Sequence, residues 1–282
     1  GEGEISVKEL CERLGMEHLE DAQFYRDNLN RFLADWDRWG MEACFDRPED
    51  FFAASLSRMA SNRIIGLNAI RSNPNLVGHN LTGLIDPVIS REGLTSPFRE
   101  MKPGTMDAIF ACWAPLRLCL FAEPVSIYRH GTIKLEAVLA NEDALRPGDY
   151  PIRLEAIAPD GTRALARTVT LTIPEPDGVT EVPLALPVFS EEIVVDGEPG
   201  KYRFVASFQE GAAATGGETE FYVTDATEMP PVEGRVTLWG EDPELAQWLT
   251  VQGIATQPFS TAQGSAREVI LIRSEEHTSE LQ

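Results

Sequence analysis

The sequence predicts a multidomain chain that combines α/β and all-β regions. Apolar residues recur at helical spacing over residues 17–74, and they alternate with polar residues in several short runs after Pro124. A strand-helix-strand pattern follows after residue 234. Because each region needs a core of its own, we predict three domains. They are the C-terminal part of a (β/α)8 barrel, an immunoglobulin-like β-sandwich and the start of a doubly wound α/β domain.

The predicted domain bounds follow from where these patterns change. We place the barrel part at 1–123, the sandwich at 124–227, a linker at 228–234 and the truncated α/β domain at 235–272. Residues 273–282 have no apolar period and match the translation of a widely used sequencing-adapter oligonucleotide, so we expect read-through there. The chain opens on Gly1 without Met, and we expect the earlier barrel strands to lie upstream of it.

Composition excludes several classes of partner. The chain has 282 residues and a formal net charge of −21, so we expect no nucleic-acid binding, because there is no basic face to meet phosphates. No run approaches the roughly 20 apolar residues of a membrane span, so no membrane partner is expected. The four cysteines show no metal-ligand spacing, and we interpret them as free thiols: Cys11, Cys44, Cys112 and Cys119.

Two long helices are predicted in the first region. The first runs from about Glu17 to Trp39. A short helix is predicted before it, from a capping-box pattern at 6–9 to Gly15. The second begins at Asp46-Arg-Pro-Glu49, with Pro just inside the helix, and ends before Pro74. The run from Leu76 to Ile85 is nearly continuous in apolar residues, which predicts a strand buried on both faces, as in a parallel sheet.

Period-two alternation predicts about seven strands between Pro124 and Asp225. They include 132–141, 149–158, 162–173, 179–188, 201–208 and 218–224, a number typical of an immunoglobulin-like sandwich. Pro183 and Pro187 favour an edge position for their strand, and Tyr202 suits a tyrosine corner. In the last region, strands at 236–239, 254–258 and 268–272 flank a helix at 242–252.

Three segments carry a resemblance to a known family. They are Asn75-Leu-Val-Gly-His-Asn-Leu-Thr-Gly-Leu-Ile-Asp86, Gly93-Leu94 and Phe98-Arg-Glu-Met-Lys-Pro103. With them, residues 1–123 resemble the end of the catalytic barrel in family 2 glycoside hydrolases, the β-galactosidase, β-glucuronidase and β-mannosidase group. A β-sandwich after the barrel also occurs in that family. Thr82 stands where its better-known members have Trp, so the sugar is not carried over.

The resemblance implies a retaining glycoside hydrolase that acts on carbohydrate O-glycosidic bonds with two carboxylates and no cofactor. The opening Gly1-Glu-Gly-Glu looks like the residues just after the family's seventh strand. In that register the nucleophile lies two residues before Gly1, and the acid/base lies further upstream. In an alternative register, Glu2 itself is the nucleophile. We therefore expect this chain to be inactive without the N-terminal part of the same protein.

Asn80, Thr82 and Asp86 are the candidate substrate-binding residues. Asn80 and Thr82 are expected either to line the floor of the −1 subsite or to pack within the strand. Asp86 is expected either to meet a sugar hydroxyl or to cap its loop. We predict that Arg99 and Lys102 pair with acidic neighbours and fix that loop, and we expect no metal ligands.

A function from another class stays open beside the glycosidase. In it the sandwich is a non-catalytic module that binds carbohydrate or protein, and exposed aromatic residues on one sandwich face would favour it. The sequence offers only scattered candidates, at Tyr128, Tyr150 and Tyr222. A third hypothesis is that the last domain is an amidotransferase-like module with its own chemistry. The sequence does not support activity there, since no nucleophilic cysteine follows Cys119.

Overall fold

A computed structural model describes most of the chain. The described residues are 11–76, 78–86, 92–96, 99–176, 178, 183–228, 231, 234–240, 242–260 and 269–272. Glu2, the predicted cap at 6–9 and the tail at 273–282 lie outside them. The chain is a multidomain protein that combines α/β with β structure, and it forms two compact units, Gly1–Thr224 and Asp225–Gln282. No helix that the structure describes is both long and apolar enough to cross a membrane.

Three α-helices lie wholly within the described part of the first unit, after a helical stretch at 11–14. They are α1 (Glu20–Trp39), α2 (Pro48–Arg71) and α3 (Thr105–Cys112). Gly40, at φ 63°, ends α1, and Pro48 stands in the first turn of α2 as predicted. Aromatic rings from both long helices and from the turn between them form one cluster, in which the centroids of contacting rings lie 4.9–6.4 Å apart. The rings belong to Phe32, Trp36, Phe45, Phe51 and Phe52.

Nine strands follow in the first unit. They are β1 (Leu116–Glu123), β2 (Ser126–Tyr128), β3 (Thr132–Asn141), β4 (Gly148–Ile157), β5 (Arg163–Ile173), β6 (Ala185–Val194), β7 (Gly200–Phe208), β8 (Thr215–Gly216) and β9 (Glu218–Thr224). One sheet has the order β6-β3-β1-β8, and the other has the order β2-β9-β7-β4-β5. The inward residues of both sheets form one apolar core, so the two sheets pack face to face.

Alternation along the strands explains this core. In β3, Ile133, Leu135 and Leu139 are fully buried, and the lysine and glutamate between them are partly exposed. The opposite sheet contributes Leu154 and Phe204, which are also fully buried. The predicted strands at 132–141, 149–158, 162–173, 201–208 and 218–224 therefore correspond to β3, β4, β5, β7 and β9, within a residue or two.

Two elements differ from the sequence expectations in the sandwich. β1 lies before the boundary drawn at residue 124, yet it pairs along its whole length with β3. The strand expected at 179–188 is β6, which begins later, and residues 179–182 lie outside the described chain. Pro187 has no N–H to donate, and β6 accordingly forms the edge of its sheet, as predicted from the prolines.

The predicted buried strand at 76–85 is wrong for the residues that the structure describes. Only Ile85 makes a bridge there, to Thr95, and Asn80 and Thr82 are exposed. A parallel strand needs a hydrogen-bonded neighbour, and no described strand lies beside this segment. The apolar run therefore stays irregular, although its sequence suits a strand.

Tyr202 forms the predicted tyrosine corner near the start of β7. Its ring is fully buried and stacks on Phe221, with 5.0 Å between the centroids. Its hydroxyl donates a hydrogen bond of 2.9 Å to the carbonyl oxygen of Glu198. A Cβ on Gly197 would lie 2.4 Å from that hydroxyl, so glycine is needed at this turn. Burial raises the pKa of Tyr202, which keeps the phenol protonated as a donor.

Buried Arg117 joins the helices to the first sheet. It lies on β1 with 3% of its surface exposed, and its Nε donates to the Asn68 side chain of α2 at 2.8 Å. Its Nη1 donates to the carbonyl oxygen of Ala111 in α3 at 2.9 Å. Leu118 and Leu120 point the other way, into the sandwich core. β1 is therefore covered on both faces.

The second unit is a small parallel α/β sheet. It contains β10 (Arg235–Trp239), α4 (Pro243–Val251), β11 (Ala255–Pro258) and β12 (Val269–Ile272), with the order β11-β10-β12. Both flanking strands run parallel to β10. The Asp242 side chain caps α4 by accepting a hydrogen bond from the backbone N–H of Leu245 at 2.9 Å.

Replacing Arg117 with Ala should lower the free energy of unfolding by about 2–4 kcal/mol, because it removes the donor to the buried Asn68 side chain and leaves a cavity. Urea unfolding measured by circular dichroism tests this. Arg38→Ala is the control, since Arg38 pairs with Asp35 at the surface with 67% of its side chain exposed. It should unfold like the parent chain, and an equal loss in the two variants would contradict the role given to Arg117.

Candidate functional site

The candidate residues do not form one cluster in the described chain. Asn80 and Thr82 are exposed on the irregular segment before Ile85. Asp86 is largely buried in a separate group of contacts, with 10% of its side chain exposed. Glu2 lies outside the described residues. The structure therefore gives local surroundings for three of the four candidates and brings none of them together.

Asp86 lies in a compact loop, here called the Asp86 loop, which consists of residues 83–86, 92–96 and 99–102. Thr95 links its three segments, through a parallel bridge to Ile85 and an antiparallel bridge to Met101. The amides of Leu94 and Thr95 both donate to the carbonyl oxygen of Leu84, at 3.1 and 3.0 Å. The loop thus has its own backbone hydrogen bonds, although it contains no regular element.

Both oxygens of the Asp86 carboxylate are used inside this loop. Oδ1 accepts from the backbone N–H of Gly93 at 2.7 Å and lies 2.9 Å from Lys102 Nζ. Oδ2 lies 2.8 Å from the same ammonium, which has 11% of its side chain exposed. A Cβ on Gly93 would lie 2.7 Å from Oδ1, so only glycine fits there. Of the two roles considered for Asp86, these contacts match the loop-capping one.

The predicted pairing of Lys102 with an acidic neighbour is confirmed. Arg99 was expected to do the same, but it has no ion-pair partner among the residues that the structure describes. Its backbone has a φ of 65°, which is unusual outside glycine and marks a tight turn. Lys102 therefore holds the loop by charge, and Arg99 contributes to it through its backbone.

A cleft of about 340 Å³ opens where the end of α2, the turn after α3 and the end of β3 meet. It is lined by Ile70, Arg71, Asn73, Leu76, Gly78, His79, Trp113, Glu142 and Leu184. It contains an exposed aromatic ring, a carboxylate, an amide and a histidine together. Sequence reasoning missed it, because Arg71, Trp113 and Glu142 lie far apart in the chain and belong to no motif.

His79 and Trp113 form a fixed pair in this cleft. Trp113 Nε1 donates to His79 Nε2 at 3.1 Å, and the ring centroids are 5.7 Å apart. An indole nitrogen can only donate, so Nε2 of His79 is the unprotonated nitrogen in this contact. Trp113 keeps 50% of its surface exposed. Its ring is therefore held in one orientation while remaining accessible.

Arg71 orders a second part of the cleft lining, next to Trp113 in the chain. Its guanidinium donates to the carbonyl oxygens of Cys112 at 2.6 Å and Ala114 at 3.1 Å, at and just after the end of α3. The same group lies 2.9 Å from Oε1 of Glu142, whose side chain is 51% exposed. A cation is favourable at the carboxyl end of a helix, because unpaired carbonyl groups accumulate there. Glu142 is thus oriented by an arginine that is itself immobilised.

The two buried cysteines, Cys112 and Cys119, are poor nucleophiles, and no cysteine of the described chain belongs to a candidate metal site. Burial raises the pKa of Cys112, and it raises the pKa of Cys119 to about 11. Both thiols are therefore protonated at neutral pH and unreactive. All four cysteines are free, as interpreted from the sequence. No group of three or more potential ligands among His, Cys, Asp and Glu comes together in the described residues.

Comparisons with known proteins give only distant likenesses. No family model and no curated protein matches the chain. Among solved structures, the CARDB domain of the PF1109 protein from Pyrococcus furiosus is 14% identical, with a TM-score of 0.27 over 39% of this chain and 87% of that one. Alpha-2-macroglobulin from Escherichia coli is 18% identical, with a TM-score of 0.27 over 39% of this chain and 7% of that one.

A third likeness is to the alkylpurine DNA glycosylase AlkC of Pseudomonas fluorescens. It is 15% identical, with a TM-score of 0.25, over 41% of this chain and 32% of that one. At these identities and TM-scores, the three likenesses carry no argument about function, and they do not point to family 2 glycoside hydrolases.

A double-mutant cycle tests the ion pair of the Asp86 loop. Asp86→Asn leaves the Lys102 ammonium largely buried without its carboxylate, and Lys102→Met leaves the carboxylate without its cation. The double variant should therefore recover about 1–3 kcal/mol relative to the sum of the two single losses in the free energy of unfolding. The exposed pair Arg47–Asp50, exchanged in the same way, should show no measurable coupling. Additive losses at Asp86 and Lys102 would contradict the assignment.

Proposed function

We propose that the chain is the C-terminal part of a retaining glycoside hydrolase of family 2, similar to β-galactosidases. In this proposal, α1, α2, α3 and the Asp86 loop belong to the end of a (β/α)8 barrel. An immunoglobulin-like sandwich and the first part of a doubly wound domain follow. The substrate is a carbohydrate with an O-glycosidic bond, and the chemistry needs no cofactor. In this proposal the barrel strands are contributed by the upstream part of the same protein.

The Asp86 loop is the observation that carries the proposal. Asp86, Gly93 and Lys102 each come from a different one of the three sequence segments that resemble the family. In the structure, these three residues meet through hydrogen bonds of 2.7 and 2.9 Å. Gly93 has a steric reason to be glycine, and Lys102 has an electrostatic reason to be a cation. If the three segments resembled the family only by chance, there would be no reason for Asp86, Gly93 and Lys102 to contact one another.

The sandwich supports the proposal in a second way. After β1 the chain passes to the opposite sheet, where β2 pairs in parallel with β9. Seven longer strands and the buried Tyr202 corner are typical of immunoglobulin-like domains. In the second unit, strands on both sides of a central parallel strand suit the start of a doubly wound sheet.

The proposed catalytic roles follow from retaining chemistry. Two carboxyl groups about 5–5.5 Å apart must flank the scissile bond, one as nucleophile and the other as acid/base. Asp86 is committed to Lys102 and Gly93, so it is a poor choice for either role. Asn80 and Thr82 are exposed and stay available for sugar hydroxyls. We place the nucleophile and the acid/base upstream of Gly1, with Glu2 as the alternative nucleophile.

The structure supports the alternative function, a binding module built on the sandwich, less well than it supports the glycosidase. Aromatic residues would have to lie together on an exposed sheet face, and Tyr222 is 46% exposed on β9. Tyr128, 53% exposed on the neighbouring β2, lies on the same face. That face also carries ion pairs between neighbouring strands, such as Arg203 with Glu218 and Lys201 with Glu220. These charges suit a solvated face more than a flat aromatic platform for a glycan.

The purified chain should not hydrolyse glycosides. We expect 4-nitrophenyl β-D-galactopyranoside, β-D-glucuronide and β-D-mannopyranoside to release nitrophenol at the rate seen in buffer, because the catalytic pair is incomplete. Absorbance at the nitrophenolate band measures this. Release above the buffer rate that disappears in Glu2→Gln would contradict the assignment and identify Glu2 as the nucleophile.

Recovery of the upstream coding sequence from the source DNA by long reads tests the family itself. We expect a strand-like run that ends in Ser-Glu, with the Glu two residues before Gly1, and an Asn-Glu pair further upstream. The full-length protein with both carboxylates should hydrolyse at least one of the three glycosides. A start codon directly before Gly1, or a helical repeat in place of the strand, would overturn the proposal.

A further inference from the structure

We propose that the cleft lined by Arg71, His79, Trp113 and Glu142 binds one pyranose ring of a carbohydrate. This inference goes beyond the proposed function, because it requires neither hydrolysis nor an upstream carboxylate. It rests on the shape of the cleft and on the chemistry of its lining. The proposed glycosidase function supplies only the choice of sugars for the test.

The size of the cleft suits a small ligand. Its volume of about 340 Å³ lies at the lower end of the range found for ligand sites, which is roughly 300–1,000 Å³. The lining includes the apolar residues Ile70, Leu76 and Leu184 beside its polar ones. A single sugar ring also has apolar C–H faces and a polar edge, so the two surfaces match.

Trp113 supplies the platform for such a ring. An indole presents an apolar face, and here half of its surface is open to the cleft and the solvent. The hydrogen bond from Nε1 to His79 satisfies the polar edge of the indole and fixes its orientation. Because the ring is already ordered, binding costs little side-chain entropy. A flat, fixed aromatic face is well suited to stack against the C–H face of a pyranose.

Glu142 and Asn73 supply acceptors and donors for the hydroxyl groups. Arg71 occupies one direction of the Glu142 carboxylate, which has about four lone-pair sites in all, so others remain for sugar hydroxyls. The Oδ1 of Asn73 accepts from the backbone N–H of Asn75 at 2.9 Å, which orients the amide. The NH₂ group of Asn73 can then donate to a hydroxyl oxygen.

The same contacts disfavour other ligand classes. An anion would meet the Glu142 carboxylate, and the Arg71 guanidinium already serves two carbonyl oxygens and that carboxylate, with only 11% of its side chain exposed. A metal ion would need three or more acidic, histidine or cysteine ligands, and the described residues offer no such group. The exposed groups of the cleft therefore suit a neutral ligand that is rich in hydroxyl groups.

Titration of the intact chain tests the inference. Methyl β-D-galactopyranoside, methyl β-D-glucopyranoside and methyl β-D-mannopyranoside are added in turn, and binding is followed by saturation-transfer NMR and by tryptophan fluorescence. At least one of them should bind with a Kd of about 1–10 mM, as expected for a shallow site for one ring. Trp113→Ala and Glu142→Gln should each weaken that binding at least tenfold.

Trp248→Ala is the matched control, because Trp248 is 54% exposed on α4 in the second unit. It should leave the Kd unchanged. Glu142→Gln keeps the size of a half-exposed side chain, so it separates lost binding from lost folding, and thermal unfolding of every variant checks this. Absence of saturable binding by all three sugars, or unchanged binding in Glu142→Gln, would overturn the inference. Neither result affects the glycoside assay on the full-length protein.

Discussion

The architecture of the first unit depends on how the carboxyl end of α3 is satisfied. The carbonyl oxygens of Ala111, Cys112 and Ala114 accept from Arg117 and Arg71, two arginines that come from a strand and from another helix. Thr215 adds a hydroxyl donor to Ala111 at 2.7 Å. Unpaired carbonyl groups at a helix end are costly when buried, so these donors fix α3 against α2 and β1. The guanidinium of Arg71 also positions Glu142. The contacts that hold the end of α3 therefore also order two residues of the cleft lining.

The sequence was informative wherever a strand has one buried face. β3, β4, β5, β7 and β9 alternate between buried and exposed side chains, and their predicted bounds agree with the structure within a residue or two. β1 has no such period, because its two faces are covered by the sandwich core and by the helices, and it was assigned to no strand. A continuous apolar run was instead interpreted as a strand at 76–85, where no described neighbour pairs with it. Periodicity reports how a segment is covered and says nothing about whether a partner strand is beside it.

The candidate sites show the same division. Lys102 could be predicted as a loop cation from its position near acidic residues, and the ion pair with Asp86 is present. The cleft could not be predicted, since Arg71, Trp113 and Glu142 belong to a helix, a turn and the end of a strand that meet only in the folded chain. Arg71 is oriented by hydrogen bonds to backbone carbonyl oxygens, and Trp113 is oriented by its hydrogen bond to His79. These contacts leave no pattern in the sequence. The sequence therefore predicted the charged residue that holds the loop, but it did not predict a cleft built from residues that are distant in the chain.

The contact between Thr215 and the end of α3 has a consequence for synthesis on the ribosome. The two partners of this hydrogen bond are 104 residues apart, and β8 also pairs with β1, through Arg117 with Thr215 and Leu118 with Gly216. The carboxyl end of α3 and the edge of β1 that pairs with β8 therefore stay uncovered until β8 has left the exit tunnel. Long-range pairing of this kind slows folding and prolongs the life of unpaired edges. Nascent chains that stop before residue 215 should for this reason be the ones that recruit chaperones.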